Sequence, residues 1–376
     1  MRISAVDFVA LSVPLGSGKA YGMSKSLSTG RQSTLVRVTL DNGVVGYGEA
    51  WGIPAVNKAF APLLSGYLVG ADVFAVEHVF ERILARHYHF GLQGGLMWAI
   101  SGLDIAAKDA MGKVAGVSVA DLIGGRRTSQ VPTYMSGGYM TETPEADYRP
   151  QIEAMAEAGY RTVKIKVGLN PASDEARVSL ARELLGADAE ILVDINANYT
   201  LDLALETLRR LEPYRIGWLE EPLAPQDVEG YAALRKRASV PIAAGEALYT
   251  VFDFKRLVDA GGVDILQPDL SLCGGFWQGR KIAAFAHAAH LRVSPHVWGG
   301  AVGLAAGLQF IASLGVQPHA DNIPKPVLLE YDLGANPLRT ELLKTPIEVK
   351  DGFATVPDGP GLGIEINEEA VARYAI

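Results

Sequence analysis

The sequence predicts an α/β fold, a closed parallel barrel with a smaller α+β domain ahead of it. Three observations predict it. At 376 residues the chain is too long for one small domain and fits one large barrel plus a smaller partner. From about residue 131, short apolar strands alternate with helical stretches, which implies a parallel sheet. Eight such strands can be read, and eight close a barrel.

The opening stretch MRISAVDFVALSVPL is broken by Asp7 and reads as a strand rather than a secretion signal. Ser33 to Leu40, Asp41-Asn42-Gly43 and Val44 to Glu49 read as a hairpin, because Asn-Gly between β-branched residues favours a tight turn. From about Val73 to Leu122 the period turns helical, with Leu96, Ile100, Leu103 and Ala107 at helical spacing. GGRR at 124–127 marks a boundary. The barrel strands then read VPTYMSG near 131, TVKIKVG near 162, EILVDINA near 190 and IGWLEEP near 216. PIAAGEA near 241, VDILQPDLS near 263, RVSPHV near 292 and PVLLEYD near 326 complete them. Amphipathic stretches such as 232–238 and 254–262 lie between strands, and 298–326 reads as long and irregular. The tail from about 345 has turn signals at Lys350-Asp351-Gly352 and Pro357 to Gly363, and is expected to pack back on the N-terminal domain.

Composition narrows the function. Hydrophobic residues at 49% and charged residues at 20% describe an ordinary, well-cored globular protein. A net charge of −8 argues against a nucleic-acid partner. Cys273 is the single cysteine, so no disulfide framework is possible and a reducing, cytoplasmic compartment fits. No apolar run is long enough to span a membrane.

Active sites of such barrels sit at the C-terminal ends of the strands. Lys164 and Lys166 stand on one face of the second strand, about 7 Å apart at strand rise. Asp194 and Asn196 end the third, Glu220 and Glu221 the fourth, Glu246 the fifth, Asp269 the sixth, His296 the seventh and Glu330 the eighth. Taken singly these have plain explanations. A lysine pair is a solvated face, an acid after a strand is a helix N-cap, and a lone histidine is structural. The combination points elsewhere. Asp194, Glu220 and Glu246 follow one another at equal 26-residue intervals. Three packed carboxylates repel unless a cation neutralises them. An all-oxygen ligand set with an incomplete shell suits Mg²⁺. The lysine pair lies on one side of that set and Asp269 with His296 on the other. Mg²⁺ with a lysine or histidine base supports removal of a proton next to a carboxylate, the metal and hydrogen bonds stabilising the enolate; the enolase superfamily uses this arrangement.

The chain resembles that superfamily, and within it the mandelate racemase subgroup. The resemblance runs through 102–125 (GLDIAAKDAMGKVAGVSVADLIGG), Lys164-x-Lys166, VDINANYT (193–200), WLEEP (218–222), AGEA (244–247), PDLSLCGG (268–275), SPH (294–296) and LLEYD (328–332). It implies a modified (β/α)7β TIM-type barrel at 128–335, an α+β N-terminal capping domain at 1–127, and a C-terminal segment at 336–376 packing back on the cap. Asp194, Glu220 and Glu246 match the metal ligands. Lys166 matches the base on one face, and Lys164 its partner, which lowers the Lys166 pKa and meets the substrate carboxylate. His296 matches the base on the other face, with Asp269 as its hydrogen-bonded partner. Glu330 matches the acid that donates to the substrate carboxylate, and Asn196 a substrate contact. Muconate-lactonising and dipeptide-epimerase relatives carry a lysine where this chain has Asp269, which disfavours those reactions. The resemblance also implies a homo-oligomer.

In this family the N-terminal domain covers the barrel mouth and reads the distal part of the substrate. The matching segment, 16–32, carries Lys19, Lys25, Arg31 and several Ser and Thr residues, which suits a hydroxylated or acidic substrate. The expected reaction is dehydration of a sugar acid to a 2-keto acid. Racemisation or epimerisation of an α-hydroxy acid is the alternative on the same site. A non-catalytic binding protein on this fold is a third reading, but such a relative is expected to have lost a ligand or a base, and none is missing.

Overall fold

The computed structural model describes residues 1–316 and 326–376. The N-terminal part is an antiparallel sheet of β1 (Ile3–Pro14), β2 (Gly30–Leu40) and β3 (Val45–Ala50) against helices α1 (Pro54–Leu68), α2 (Val76–Arg86) and α3 (Gly95–Ala115). The β2–β3 turn forms where Asn-Gly predicts it. Gly43 takes φ 84° and Asn42 Oδ1 accepts from Val44 N at 3.1 Å. Leu96, Ile100, Leu103 and Ala107 are all buried in α3. Sheet and helix meet backbone to backbone. A Cβ at Gly48 would stand 2.0 Å from Gly102 O, and one at Gly46 2.0 Å from Ala106 O. A side chain at either place would lift β3 off α3, and β3 leads to the barrel mouth.

The barrel alternates β4 (Gln130–Gly137), α4 (Pro144–Glu157), β5 (Thr162–Lys166), α5 (Pro171–Leu185), β6 (Glu190–Asp194), α6 (Leu201–Leu211), β7 (Leu219–Glu220) and α7 (Val228–Arg235). It continues with β8 (Ile242–Ala244), α8 (Thr250–Asp259), β9 (Ile265–Leu266), α9 (Gly275–Ala288), β10 (Arg292–Val293), α10 (Ala301–Ser313) and β11 (Leu329–Asp332). Strands β4 to β10 pair in parallel in that order, and β11 returns to pair in parallel with β4. Ser294 Oγ donates to Leu328 O across the remaining seam at 3.4 Å. Among the described residues this is eight strands and seven intervening helices of eight residues or more, the (β/α)7β pattern. The stretch expected to be irregular contains α10. Its sequence, AVGLAAGLQFIAS, is small and apolar on every side and buried throughout its first twelve residues, so no polar face revealed its period. Residues 317–325 of that stretch lie outside the described residues.

The tail turns back in two ways. Phe353–Thr355 adds antiparallel to β4, and after the helix Glu368–Tyr374, Ile376 N donates to Ala10 O of β1 at 3.0 Å.

Two buried acids make α3 the peg between these parts. Asp109 accepts from Tyr47 N of β3 at 2.8 Å and from Leu362 N of the tail at 2.7 Å. Asp104 accepts from Trp277 N in the first turn of α9 at 2.9 Å. Burial raises the Asp104 carboxyl to about 6, against the lowering effect of Lys108 and the Trp277 N–H. A raised carboxyl favours folding at low pH, and that advantage is lost as pH rises through about 6. Asp104→Asn keeps an acceptor for Trp277 N–H and removes the charge. It is expected to exceed wild type in stability at pH 8, by up to about 3 kcal/mol, with the gap closing toward pH 4. Thermal melts across that range check this.

Candidate active site

Strand β5 sorts its side chains by alternation. Val163 and Ile165 are fully buried in the main core with Ile152 and Met155 of α4 and Val178 of α5, while Lys164 and Lys166 point into the barrel mouth. Register then lines up charges. Lys166 is the cross-strand partner of Asp194, and Asp194 the partner of Glu220. Glu246 joins from outside that row. It follows Gly245 (φ 137°) beyond the end of β8, so the equal 26-residue spacing does not mean equal positions on the strands. Asp194, Glu220 and Glu246 nonetheless each offer an oxygen within 4.8 Å of the others.

The two lysines act as counter-ions to these acids. Lys164 Nζ contacts Glu220 Oε1, lies 2.7 Å from Glu330 Oε1 and 3.7 Å from Asp194 Oδ2. Lys166 Nζ lies 2.5 Å from Asp194 Oδ2. Burial raises the Asp194 carboxyl, but Lys166 and Lys164 outweigh it and hold it low. Burial lifts Glu220 to about 7, aided by the neighbouring acids and opposed by Lys164. Burial also lifts Glu330, yet Lys164, His296 and Lys166 together bring it down to about 2. Lys166 differs from expectation. Burial and Lys164 both lower its pKa, as the lysine pairing predicts, but Asp194, Glu246 and Glu330 reverse the sum and hold it above the ordinary lysine value.

The far side is held by Asp269. Its Oδ1 accepts from Ser271 N at 2.7 Å, capping the turn Leu270–Cys273, while its Oδ2 lies 2.7 Å from His296 Nδ1. One acid therefore serves both as N-cap and as histidine partner. A carboxylate only accepts, so Nδ1 carries the proton and Nε2 is turned toward Glu246 Oε2 at 3.4 Å and Glu330 Oε2 at 3.9 Å. Burial lowers the His296 pKa, but Glu246, Glu330 and Asp269 raise it to about 10.

Asn196 sits past the end of β6 in the left-handed region, φ 51°, with its N–H on Asp194 Oδ1 at 2.8 Å. Its Oδ1 and Glu246 Oε2 are buried without a hydrogen-bond partner. A buried Glu246 oxygen without a hydrogen bond, grouped with the carboxylates of Asp194 and Glu220, fits a hard divalent cation. The seven strand-end positions Lys164/Lys166, Asp194, Glu220, Glu246, Asp269, His296 and Glu330 thus meet at one mouth.

Other members of the cluster escaped sequence reasoning. Gln267 Nε2 donates to Glu220 Oε2 at 2.7 Å, beside Trp218 Nε1 at 2.9 Å, which strand alternation already puts on the Glu220 face. Gln267 stands two residues before Asp269, a spacing that could have marked it. Tyr134 lies under Lys164, 5.4 Å from Nζ to the ring centre. From the cap, Trp51 meets His296 edge-on at 5.9 Å, and Trp51 and Trp298 line a cavity of about 530 Å³. The 16–32 segment is not arranged as expected. Tyr21–Met23 and Ser26–Ser28 form a hairpin that pairs with Met140–Thr141, leaving Lys19 and Lys25 exposed. Arg31 is committed to Asp332 at 2.8 Å, so an internal ion pair uses one of the three cations expected to meet substrate.

A barrel mouth with three clustered carboxylates between a lysine pair and a histidine–aspartate pair defines the class, an acid-triad α/β-barrel enzyme. Residues 19–124 match the Mandelate racemase / muconate lactonizing enzyme, N-terminal domain, and 147–370 the Enolase C-terminal domain-like family. The chain belongs to the mandelate racemase/muconate lactonizing enzyme family of the enolase superfamily. It is 36% identical to a D-galactarolactone cycloisomerase from Agrobacterium fabrum, over 92% of this chain and 91% of that one. It is 33% identical to a D-galactonate dehydratase from Ralstonia pickettii, over 89% of each. A Streptomyces coelicolor A3(2) racemase structure with bound magnesium matches all of both chains with a TM-score of 0.88 at 29% identity.

Proposed function

We propose that the protein is a Mg²⁺-dependent enzyme that removes the α-proton of a sugar acid and eliminates the oxygen on the next carbon, dehydrating the acid to a 2-keto acid. The observation that carries this is Lys166 on one side of the carboxylate triad and an Asp269-held His296 on the other. Asp194, Glu220 and Glu246 would hold the cation, which when bound supplies Lewis-acid charge to the substrate carboxylate. Lys166 takes the α-proton; a cation held by the acids would offset the Asp194 and Glu246 charge that keeps it protonated, leaving burial and Lys164 to lower its pKa. Lys164 acts on the substrate carboxylate through its ion pair with Glu330, with Asn196 as a further contact. Glu330 lies 2.7 Å from Lys164, so this pair rather than Glu330 alone gives up a proton as charge grows on the carboxylate. His296 Nε2 protonates the leaving oxygen, and Asp269 keeps the ring turned for it.

The cycloisomerase relative, at 36% identity, supports a second reading. If the leaving oxygen belongs to a ring of the substrate, the same steps open the ring and no water is lost. Both readings are tested by incubating the protein with Mg²⁺ in D₂O and a panel of aldonates, aldarates and their lactones. A keto acid formed with loss of water marks dehydration. A keto acid isomeric with a cyclic substrate marks ring opening. α-Deuterium exchange with no keto acid overturns both in favour of racemisation or epimerisation.

A homo-oligomer fits the exposed Tyr88, Phe90 and Phe252, whose segments are tied together by Gln93 Nε2 donating to Asp253 Oδ2 at 2.9 Å. Sedimentation velocity tests it, and a monomer at micromolar concentration counts against it. The buried, unpaired thiol of Cys273 supports a cytoplasmic setting. Among the described residues no helix is long and apolar enough to cross a membrane.

A further inference from the structure

Glu49, at the end of β3 in the cap, is buried at 4% exposure yet reaches across to the barrel. Its Oε1 accepts from Gly300 N at 2.6 Å and from Ser33 Oγ at 2.9 Å, and its Oε2 accepts from Gly303 N at 2.8 Å. The carboxylate therefore caps the N-terminus of α10, where N–H groups have no partner within the helix and negative charge is favoured. Helices ordinarily take this cap from the residue just before them. Here that residue is Gly300, and the acceptor comes from 251 residues away. The barrel side is cut to admit it. A Cβ at Gly299 would lie 2.7 Å from Glu49 Oε1, one at Gly300 3.1 Å, and one at Gly303 3.3 Å from Oε2.

The capped segment is the one that carries His296. Three residues separate His296 from Gly300, and Val297 N among them donates to Glu330 Oε2 at 3.3 Å. The same end of β3 also grips the partner loop. Trp51 N donates to Ser271 O at 3.0 Å, and Ser271 N in turn bonds Asp269 Oδ1 at 2.7 Å. Within three residues, then, one cap strand holds the loop of Asp269 and the loop of His296, and sets the Trp51 ring against the imidazole.

We propose that Glu49 is a positioning residue for the His296–Asp269 pair: from the cap it fixes the 296–300 segment so that His296 Nε2 faces the carboxylate triad. This rests on His296 transferring a proton, so two measurements are used. The first needs no turnover. Amide hydrogen–deuterium exchange is compared between wild type and Glu49→Ala. Peptides covering 294–304 are expected to exchange at least about fivefold faster, while those covering 162–168 and 190–196 keep their wild-type rates. No change at 294–304, or equal acceleration everywhere, overturns the proposal.

The second reads the chemistry. D-Galactonate and its C2 epimer D-talonate carry the α-proton with opposite configurations, so bound alike they would offer it to opposite faces of the site, one to Lys166 and the other to His296 acting as acceptor. α-Proton exchange of each is followed by NMR in D₂O with Mg²⁺. Glu49→Gln is expected to slow the epimer that His296→Asn also slows, by at least about tenfold, and to leave the Lys166-dependent epimer within about twofold. Equal slowing of both epimers shows a merely structural role and overturns the proposal. If wild type exchanges neither epimer, neither acid is a substrate, and the amide measurement alone decides whether Glu49 fixes the segment.

Discussion

Lys166→Ala is expected to lower turnover by about 10²- to 10⁴-fold, the range for losing a positioned general base, without weakening Mg²⁺ binding. No other lysine of this face can replace it, because Lys164 is fully buried and already committed to Glu220 and Glu330. The sign on metal binding follows from charge. Lys166 Nζ sits 2.5 Å from Asp194 Oδ2, so it competes with a cation for that oxygen. Removing it leaves Asp194 less neutralised and raises the attraction for Mg²⁺. Isothermal titration with Mg²⁺ alone, followed by kinetics on whichever substrate the panel identifies, checks both halves. A variant that loses Mg²⁺ affinity along with activity contradicts the assignment of Lys166 as a base outside the ligand set.

Lys164→Met is expected to show its largest effect in stability. Lys164 has no exposed surface and lies among Glu220, Glu330 and Asp194, which are also inaccessible or nearly so. Deleting one member of a buried ion-pair network leaves uncompensated charge and costs about 3–5 kcal/mol. Wild type should therefore melt well above Lys164→Met in the presence of a chelator. Mg²⁺ should close much of that gap, since ligand binding to the folded state stabilises it by mass action and a divalent cation replaces the lost positive charge. Melting both proteins with chelator and with Mg²⁺ gives four numbers. If the variant is as stable as wild type in chelator, the lysine is not the counter-ion of the triad.

Much of this site was legible because barrel strands have a short period and a fixed polarity. Alternation put Lys164 and Lys166 on one face, and the rule that barrel sites form at strand C-termini gathered residues spread from 164 to 330 into one mouth. The turn at Asn42-Gly43 was legible for an equally local reason, the positive φ that Gly43 supplies. Where the signal was not local it failed. Helix α10 is apolar on all faces, so burial erased the pattern that would have marked it. Arg31 looked available because nothing near it in sequence binds it, while its partner is Asp332, 301 residues on. Gln267 matters only through Glu220, 47 residues back in the chain.

The sequence by itself therefore determined the barrel, most of its elements, and the set of ionisable side chains at its mouth, because each depends on period, turn chemistry and residue type within a few positions. The tertiary structure alone decided how those charges are shared. It made Asp269 both a cap and a histidine partner, held Lys166 above rather than below its ordinary pKa, and brought Glu49 from the cap onto the segment that follows His296. These outcomes are sums over neighbours that lie close in space and tens to hundreds of residues apart in the chain, and electrostatic interaction depends on that spatial distance and on burial, which no local pattern records.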